Sequence, residues 1–144
     1  MNIQHILATK GAHVITIRPE QAIREALVLF IRHNIGALVV LDDAGQLLGL
    51  LSERDIIRAA PINEAIFSQP VRAVMTRDPI TAVPQDDLMS VANTMTEMRM
   101  RHLPVVDQGK LVGIVSIGDV VKAQRDQYRG EAETLQTQLL AEEI

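Results

Sequence analysis

Ser52 with Asp55, and Ser116 with Asp119, are two hydroxyl–carboxylate pairs at one spacing. Each closes the same phrase, "GLLSERD" from Gly49 to Asp55 and "GIVSIGD" from Gly113 to Asp119, the second 64 positions after the first. A serine hydroxyl at the start of a helix can hydrogen-bond a phosphate oxygen. The first N–H groups and the positive end of the helix dipole favour the same anion. A carboxylate one turn in can accept two hydrogen bonds from a ribose diol, as acids do in other nucleotide-binding folds. Ser-x-x-Asp is also close to a capping box, with the serine as cap and the acid at the third helical position. The two roles are compatible, and a single copy would leave capping as the plainer one.

The phrase is part of a longer internal repeat. At an offset of 65, Ile15 aligns with Ile80, Pro19 with Pro84, Leu38 with Leu103 and Asp42 with Asp107. One residue fewer in the following turn gives an offset of 64, and then Gly45 aligns with Gly109, Ser52 with Ser116 and Ala59 with Ala123. In each copy a short apolar run (Val14–Ile17; Ile80–Val83) reads as a strand. A proline and acidic residues then open a helix. Its apolar face is Ile23, Ala26, Leu27, Phe30 and Ile31 in copy one, and Leu88, Val91, Ala92, Met95 and Met98 in copy two, at helical spacing. Two aliphatic runs around a Gly-containing turn (Ala37–Leu41 and Leu47–Leu51; Leu103–Val106 and Leu111–Val115) read as a hairpin. The phrase then starts a second helix. The order is β-α-β-β-α, twice, with a three-stranded sheet in each copy. Such a unit leaves apolar surface uncovered, so the two copies are expected to pack together about an approximate twofold. The boundaries are 5–60 for the first repeat, 61–73 for a connector, 74–125 for the second repeat and 126–144 for a helical extension.

Composition narrows the function. The chain has 144 residues, 47% apolar but only 2% aromatic, and a formal charge of −4. The core must be aliphatic, and there is no aromatic platform for stacked bases. An acidic chain without a basic stripe is a poor partner for nucleic acid. With no cysteine, thiolate metal sites and cysteine nucleophiles are excluded. No apolar run reaches the length of a membrane span, and the start "MNIQHILATKG" lacks a signal-peptide pattern. Cytoplasmic location is the expectation. No Ser, His or acid set assembles a nucleophile, base and orienting group, and no ligand spacing suits a metal. The reading is therefore no enzyme, no catalytic residues and no metal. His5, His13 and His33 receive no role.

"IGALVVLDDAGQLLGLLSERDIIRA" and "RHLPVVDQGKLVGIVSIGDVVKA" resemble the two repeats of a CBS-domain pair, or Bateman module. The likeness covers about residues 5–125 and is similar to the small stand-alone bacterial proteins of that type, including "KG" near the start and "SERD" in the first repeat. It implies an α+β fold of tandem β-α-β-β-α CBS repeats packed with pseudo-twofold symmetry, small sheets flanked by helices. It also implies a regulatory module that binds adenosine-containing ligands in clefts between the repeats and signals to a protein partner by a conformational or dimer-level change. The ligand is AMP foremost, with ADP, ATP, NAD or S-adenosylmethionine as further options, and it acts as a regulatory ligand rather than a catalytic cofactor. Carried onto this sequence, Ser52 and Asp55 supply the hydroxyl and carboxylate of one cleft, faced by Thr76, Pro79 and Ile80 and by Met100, Arg101 and His102. Ser116 and Asp119 do so in the other, faced by Lys10, Gly11 and Ala12 and by Ile35, Gly36 and Ala37.

The copies differ in charge. Arg54 precedes Asp55 where Gly118 precedes Asp119, and "RMRH" (Arg99–His102) stands where copy one has "NIGA". Guanidinium groups hold phosphate in a forked geometry, so Arg54, Arg101 and His102 are expected near phosphates in a cleft unlike its twin. Solvated surface charge is the bland alternative. Beyond the repeat, Val121, Tyr128, Ala132, Leu135 and Leu139 form a helical stripe, interrupted by Gly130. A stripe with no core left to cover points to a second copy of the chain, hence a homodimer. A frayed helix lying on its own domain is the competing account. The competing function is a structural dimerisation module with vestigial clefts. An inosine-monophosphate dehydrogenase, in which such pairs also occur, would need a large barrel and a catalytic cysteine.

Overall fold

The computed structural model describes residues 1–11 and 13–142. Local sequence accounts for the ends of most elements. Helix α2 (Ile23–His33) opens where Glu25 reaches back to accept the Ala22 N–H at 2.9 Å, and it stops at Asn34 in the left-handed region, φ 51°. Asparagine tolerates that conformation better than most residues. Helix α4 (Leu88–Glu97) is capped by Asp87, whose Oδ2 accepts the N–H groups of Met89 and Ser90. Its chain exit, Arg99, adopts φ 54°, the counterpart of Asn34. Ile23, Ala26 and Phe30 bury the core face of α2, whereas Ile31 is 83% exposed.

Strands β1 (Thr16–Ile17), β2 (Ala37–Leu41), β3 (Leu47–Ser52) and β4 (Thr76–Arg77) form one sheet in the order β1-β2-β3-β4. Strand β1 runs parallel to β2, and the other pairs are antiparallel. The second sheet is the hairpin β5 (His102–Asp107) and β6 (Lys110–Ser116). Its turn places Gln108 and Gly109 at φ 51° and 78°, the pair of positive values that a two-residue hairpin turn requires. The α+β architecture of two related units is thus as expected. The three-stranded sheet per unit is not. The start of copy two supplies β4 to the first sheet, and the expected strand Ile80–Val83 is reduced to one parallel bridge, Ala82 to Val105. Pro79 and Pro84 flank that segment, and a proline cannot donate to a ladder.

The two cores exchange segments. Helix α1 (Ile3–Lys10) buries Ile3, Ile6 and Leu7 against Leu88, Val91, Met95, Leu103, Val105 and Val115 of the second unit. Ile66 and Val71, from the stretch between the copies, belong to the first unit's core with Ile23, Phe30, Leu38 and Leu51. A third apolar layer, Val39 and Leu50 with Leu111 and Ile114, lies where the sheets meet. Removing aliphatic area from water in all three layers makes the pair one body. Helix α3 (Glu53–Ala59) follows β3, and helix α5 (Ile117–Glu142) follows β6. Only Val120 of α5 is buried; Val121, Tyr128, Leu135 and Leu139 are each more than half exposed.

Candidate functional site

Both phrases close in the same pair of hydrogen bonds. Ser52 Oγ accepts the Asp55 N–H at 3.3 Å, and Asp55 Oδ2 accepts the Ser52 N–H at 2.9 Å. Ser116 and Asp119 repeat this at 3.1 and 2.9 Å. These are complete capping boxes. The next N–H groups are also taken: Glu53 donates to the Gly36 carbonyl at 3.1 Å, and Ile117 to the Arg101 carbonyl at 2.8 Å. Anion attraction at the first phrase therefore falls mainly to side chains rather than to the start of α3.

Those side chains gather in a cleft of about 540 Å³ between the two units. The β3–α3 junction gives Ser52, Glu53, Arg54, Asp55 and Arg58. The chain leaving β4 gives Thr76, Asp78, Pro79 and Ile80, and the α4–β5 junction gives Met98, Arg99, Met100, Arg101 and His102. Sequence reasoning thus placed Ser52, Arg54, Asp55, Pro79, Ile80, Met100, Arg101 and His102 in what is one concavity. It missed Arg58, Asp78, Arg99 and Met98. Arg58 sits one helical turn beyond Arg54, a spacing that puts both on one face. Asp78 and Arg99 are held at φ 46° and 54°, a strain side chains rarely adopt, and one that collects at functional sites. Four guanidinium groups and three carboxylates line the cleft, and among the described residues none of the seven forms an ion pair. Leu50, Ile57, Pro79, Ile80, Met98 and Met100 supply apolar wall.

The second phrase has other surroundings. Lys10, at the end of α1, donates to Asp119 Oδ2 at 2.7 Å and to the Ile114 carbonyl at 2.9 Å. Asp119 and Lys10 line a separate groove of about 490 Å³ between α1 and α5, with His5, Thr9 and Lys122. Gly11 ends α1 at φ 92° and donates to the Leu7 carbonyl. Ile35 packs on the first unit's core, and Ala37 is buried opposite Ser52 in the ladder. Gly36 lines the first cleft, where a Cβ would stand 3.0 Å from Glu53 Oε1 and 3.5 Å from His102 Cε1. Ala12 lies outside the described residues.

Two titratable groups respond to this environment. Burial pushes the His102 imidazolium below its ordinary value; the nearby charges of Lys10 and Arg101 push it further, against Asp119. His102 therefore presents a neutral ring, one nitrogen donating and one accepting. Burial raises the Asp119 carboxyl, but the Lys10 hydrogen bond and the Ser116 N–H outweigh it, so the carboxyl lies below its ordinary value.

Comparison with known proteins agrees with the geometry. The CBS domain family model matches twice, over residues 5–62 and 71–126. The CBS domain-containing protein YhcV of Bacillus subtilis is 36% identical over 116 residues, which cover 81% of this chain and 82% of that protein. An uncharacterised protein of Methanocaldococcus jannaschii, MJ1225, is 38% identical over 110 residues, but these span only 39% of its length against 76% of this chain. A crystal structure of a CBS-domain containing protein from Agrobacterium tumefaciens superposes with a TM-score of 0.83 at 38% identity, covering 85% of this chain and 92% of that one. Two similar structures hold ligands. The CBS domain pair of protein MJ0100 was solved with 5′-methylthioadenosine and S-adenosyl-L-methionine (TM-score 0.78, 30% identity, 88% and 98% covered). CBSX2 was solved with AMP (TM-score 0.71, 27% identity, 88% and 98% covered).

Proposed function

This chain belongs to the CBS domain family, and from that premise we propose that it is a regulatory module, not an enzyme, whose first cleft binds an adenosine ligand carrying phosphate. AMP is the foremost candidate; ADP, ATP and NAD share the chemistry, and S-adenosylmethionine lacks the phosphate. The observation that carries this is the unpaired charge of the cleft. Asp55 stands free of any cation among the described residues while Arg54, Arg58, Arg99 and Arg101 line the same space. An ionised acid accepts the two hydroxyls of a ribose. Guanidinium groups that lack protein partners accommodate phosphate oxygens in forked hydrogen bonds. Pro79, Ile80 and Met100 offer aliphatic contact to the faces of a purine. Each unit contributes one wall, so a ligand would bind both and bias how they sit together.

In this reading the output passes to a protein partner, and the chain acts as a cytoplasmic homodimer whose α5 stripe meets its twin. No helix among the described residues is long and apolar enough to cross a membrane. The direct test is thermal unfolding with each adenosine ligand in turn. A ligand at 100 times its Kd adds about 2.7 kcal/mol, which for a chain of this size raises Tm by about 5–10 °C. A shift of that size with AMP, cut to half or less in Asp55→Ala, is the expected result. No shift with any of them would leave both phrases as helix caps and favour the structural dimerisation module.

A further inference from the structure

We propose that this chain takes one nucleotide rather than two, because Lys10 occupies the second carboxylate from within. This rests on the nucleotide reading of the first cleft and concerns what makes its twin different. The Ser–Asp hydrogen bonds of the two phrases match, so what separates the two acids is what the rest of the chain brings to each. One aligned position sets what each acid meets. At the offset of 65 that pairs Ile15 with Ile80, Lys10 pairs with Met75. A thioether offers no cation to a carboxylate. Met75 instead packs over Gly49, where a Cβ would stand 2.7 Å from its Sδ. Among the described residues, Asp55 Oδ2 consequently accepts only the Ser52 N–H.

At the second phrase, Asp119 Oδ2 accepts both the Ser116 N–H at 2.9 Å and the Lys10 ammonium at 2.7 Å. The same ammonium donates to the Ile114 carbonyl, so two acceptors fix its position. The helix that carries it is fixed as well. Leu7 lies in the second unit's core and sits so close over Gly113 that a Cβ there would meet Leu7 Cδ2 at 2.5 Å. Lys10 is thus delivered to Asp119 by a buried anchor one turn away, which limits the side-chain entropy lost on forming the pair. A ribose diol needs both oxygens of the acid. To reach Asp119 it must displace a charge-assisted bond already made, and the ammonium it displaces must find a new partner.

The test is isothermal titration of the intact protein with AMP, beside Lys10→Met, which copies the first phrase's own solution. Wild type is expected to bind one AMP per chain, Asp55→Asn to bind it at least tenfold more weakly and Asp119→Asn still to bind one with wild-type affinity. K10M is expected to bind two. Two AMP per wild-type chain would overturn the role of Lys10 while leaving the nucleotide reading intact, and so would a K10M protein that binds only one. No AMP bound by any variant would overturn both. Carbon-13 NMR of the Asp119 carboxyl across pH, which needs no ligand, guards against a K10M protein that merely folds poorly. The Asp119 titration should move up in K10M with the other carboxylates unchanged; an unmoved titration would show that the pair does not form and would overturn the assignment.

Discussion

Asp55 and Asp119 each accept the N–H of the serine three residues earlier at 2.9 Å, and each is set at the junction of an aliphatic strand and a helix. Around Asp55 the cross-wall is Met98–His102, rich in guanidinium, and no ion pair among the described residues involves the acid. Around Asp119 the end of α1 supplies an ammonium at 2.7 Å. An identical local motif is thus open in one half and self-satisfied in the other. Capping geometry is set by the phrase itself; availability to a ligand is set by what a distant segment brings.

The largest expected effect that separates the halves is on ligand affinity. Asp55→Ala should weaken AMP binding by about 1.5–3 kcal/mol, the worth of hydrogen bonds to a charged group, which titration calorimetry reads as a tenfold to hundredfold rise in Kd. Asp119→Ala should change it by less than about twofold. Equal losses in both variants would erase the distinction.

The aligned glycines sharpen the comparison through stability. An alanine at Gly49 would meet the Thr76 carbonyl and Met75 Sδ, both at 2.7 Å. Backbone cannot rotate away, so Gly49→Ala should cost about 1–3 kcal/mol as overpacking and disturb β4 beside the cleft. At Gly113 the nearest atom is the methyl end of Leu7, which has rotamers to spare, so Gly113→Ala should cost less. Urea denaturation of the two variants gives the order, and a larger loss at Gly113 would reverse the argument.

A smaller effect is expected from the cations. Replacing Arg54 or Arg101 with Gln should each weaken AMP binding by roughly threefold to tenfold, in line with about 1 kcal/mol for a solvent-accessible charge contact. Added salt should weaken wild-type binding more than binding to these variants. Salt-independent binding would mean that the guanidinium groups are solvated surface charge.

The least effect concerns pH. His102, faced by Lys10, Arg101 and Asp119, has its folded-state value lowered from 6.5. Just below pH 6.5 the unfolded chain therefore binds more protons than the folded one, and stability falls as pH falls through that window. His102→Asn should flatten the slope there. Asp119 is lowered from 3.8, so its contribution is present above that value and is lost as pH falls through the folded-state one. Lys10→Met should diminish that contribution. Thermal melts across pH 3–7.5 read both windows.

The repeat, the order of its helices and hairpins, and the wall around Ser52 and Asp55 could all be read from the chain, because they rest on local periodicity and on one phrase written twice. Thr76, Ile80 and Arg101 joined that wall through the register of the repeat and the resemblance it supports. Other features could not be read this way. The run Ile80–Val83 has the apolar pattern of a strand, but its flanking prolines and the pairing of β4 with β3 leave it a single bridge. Ile31 has the spacing of a core residue and faces solvent. Gly36 was aligned with the second cleft and lines the first, because the strand entries of the two units lie side by side.

By itself the sequence determined what depends on neighbours three or four residues apart. The Ser–Asp boxes, the Asp87 cap, the left-handed stop at Asn34 and the Gln108–Gly109 turn are fixed by residue types within one turn of the backbone they serve. Tertiary structure alone decided which aliphatic face covers which. Leucine, isoleucine and valine faces attract one another without direction, so the apolar pattern of α1 does not say that it will pack on the second unit rather than the first; only the resemblance placed its end there. Once Leu7 settles over Gly113, Lys10 comes to lie against an acid 109 positions away. That contact, which the resemblance placed but the periodicity of neither segment marks, sets the second copy of the phrase apart from the first.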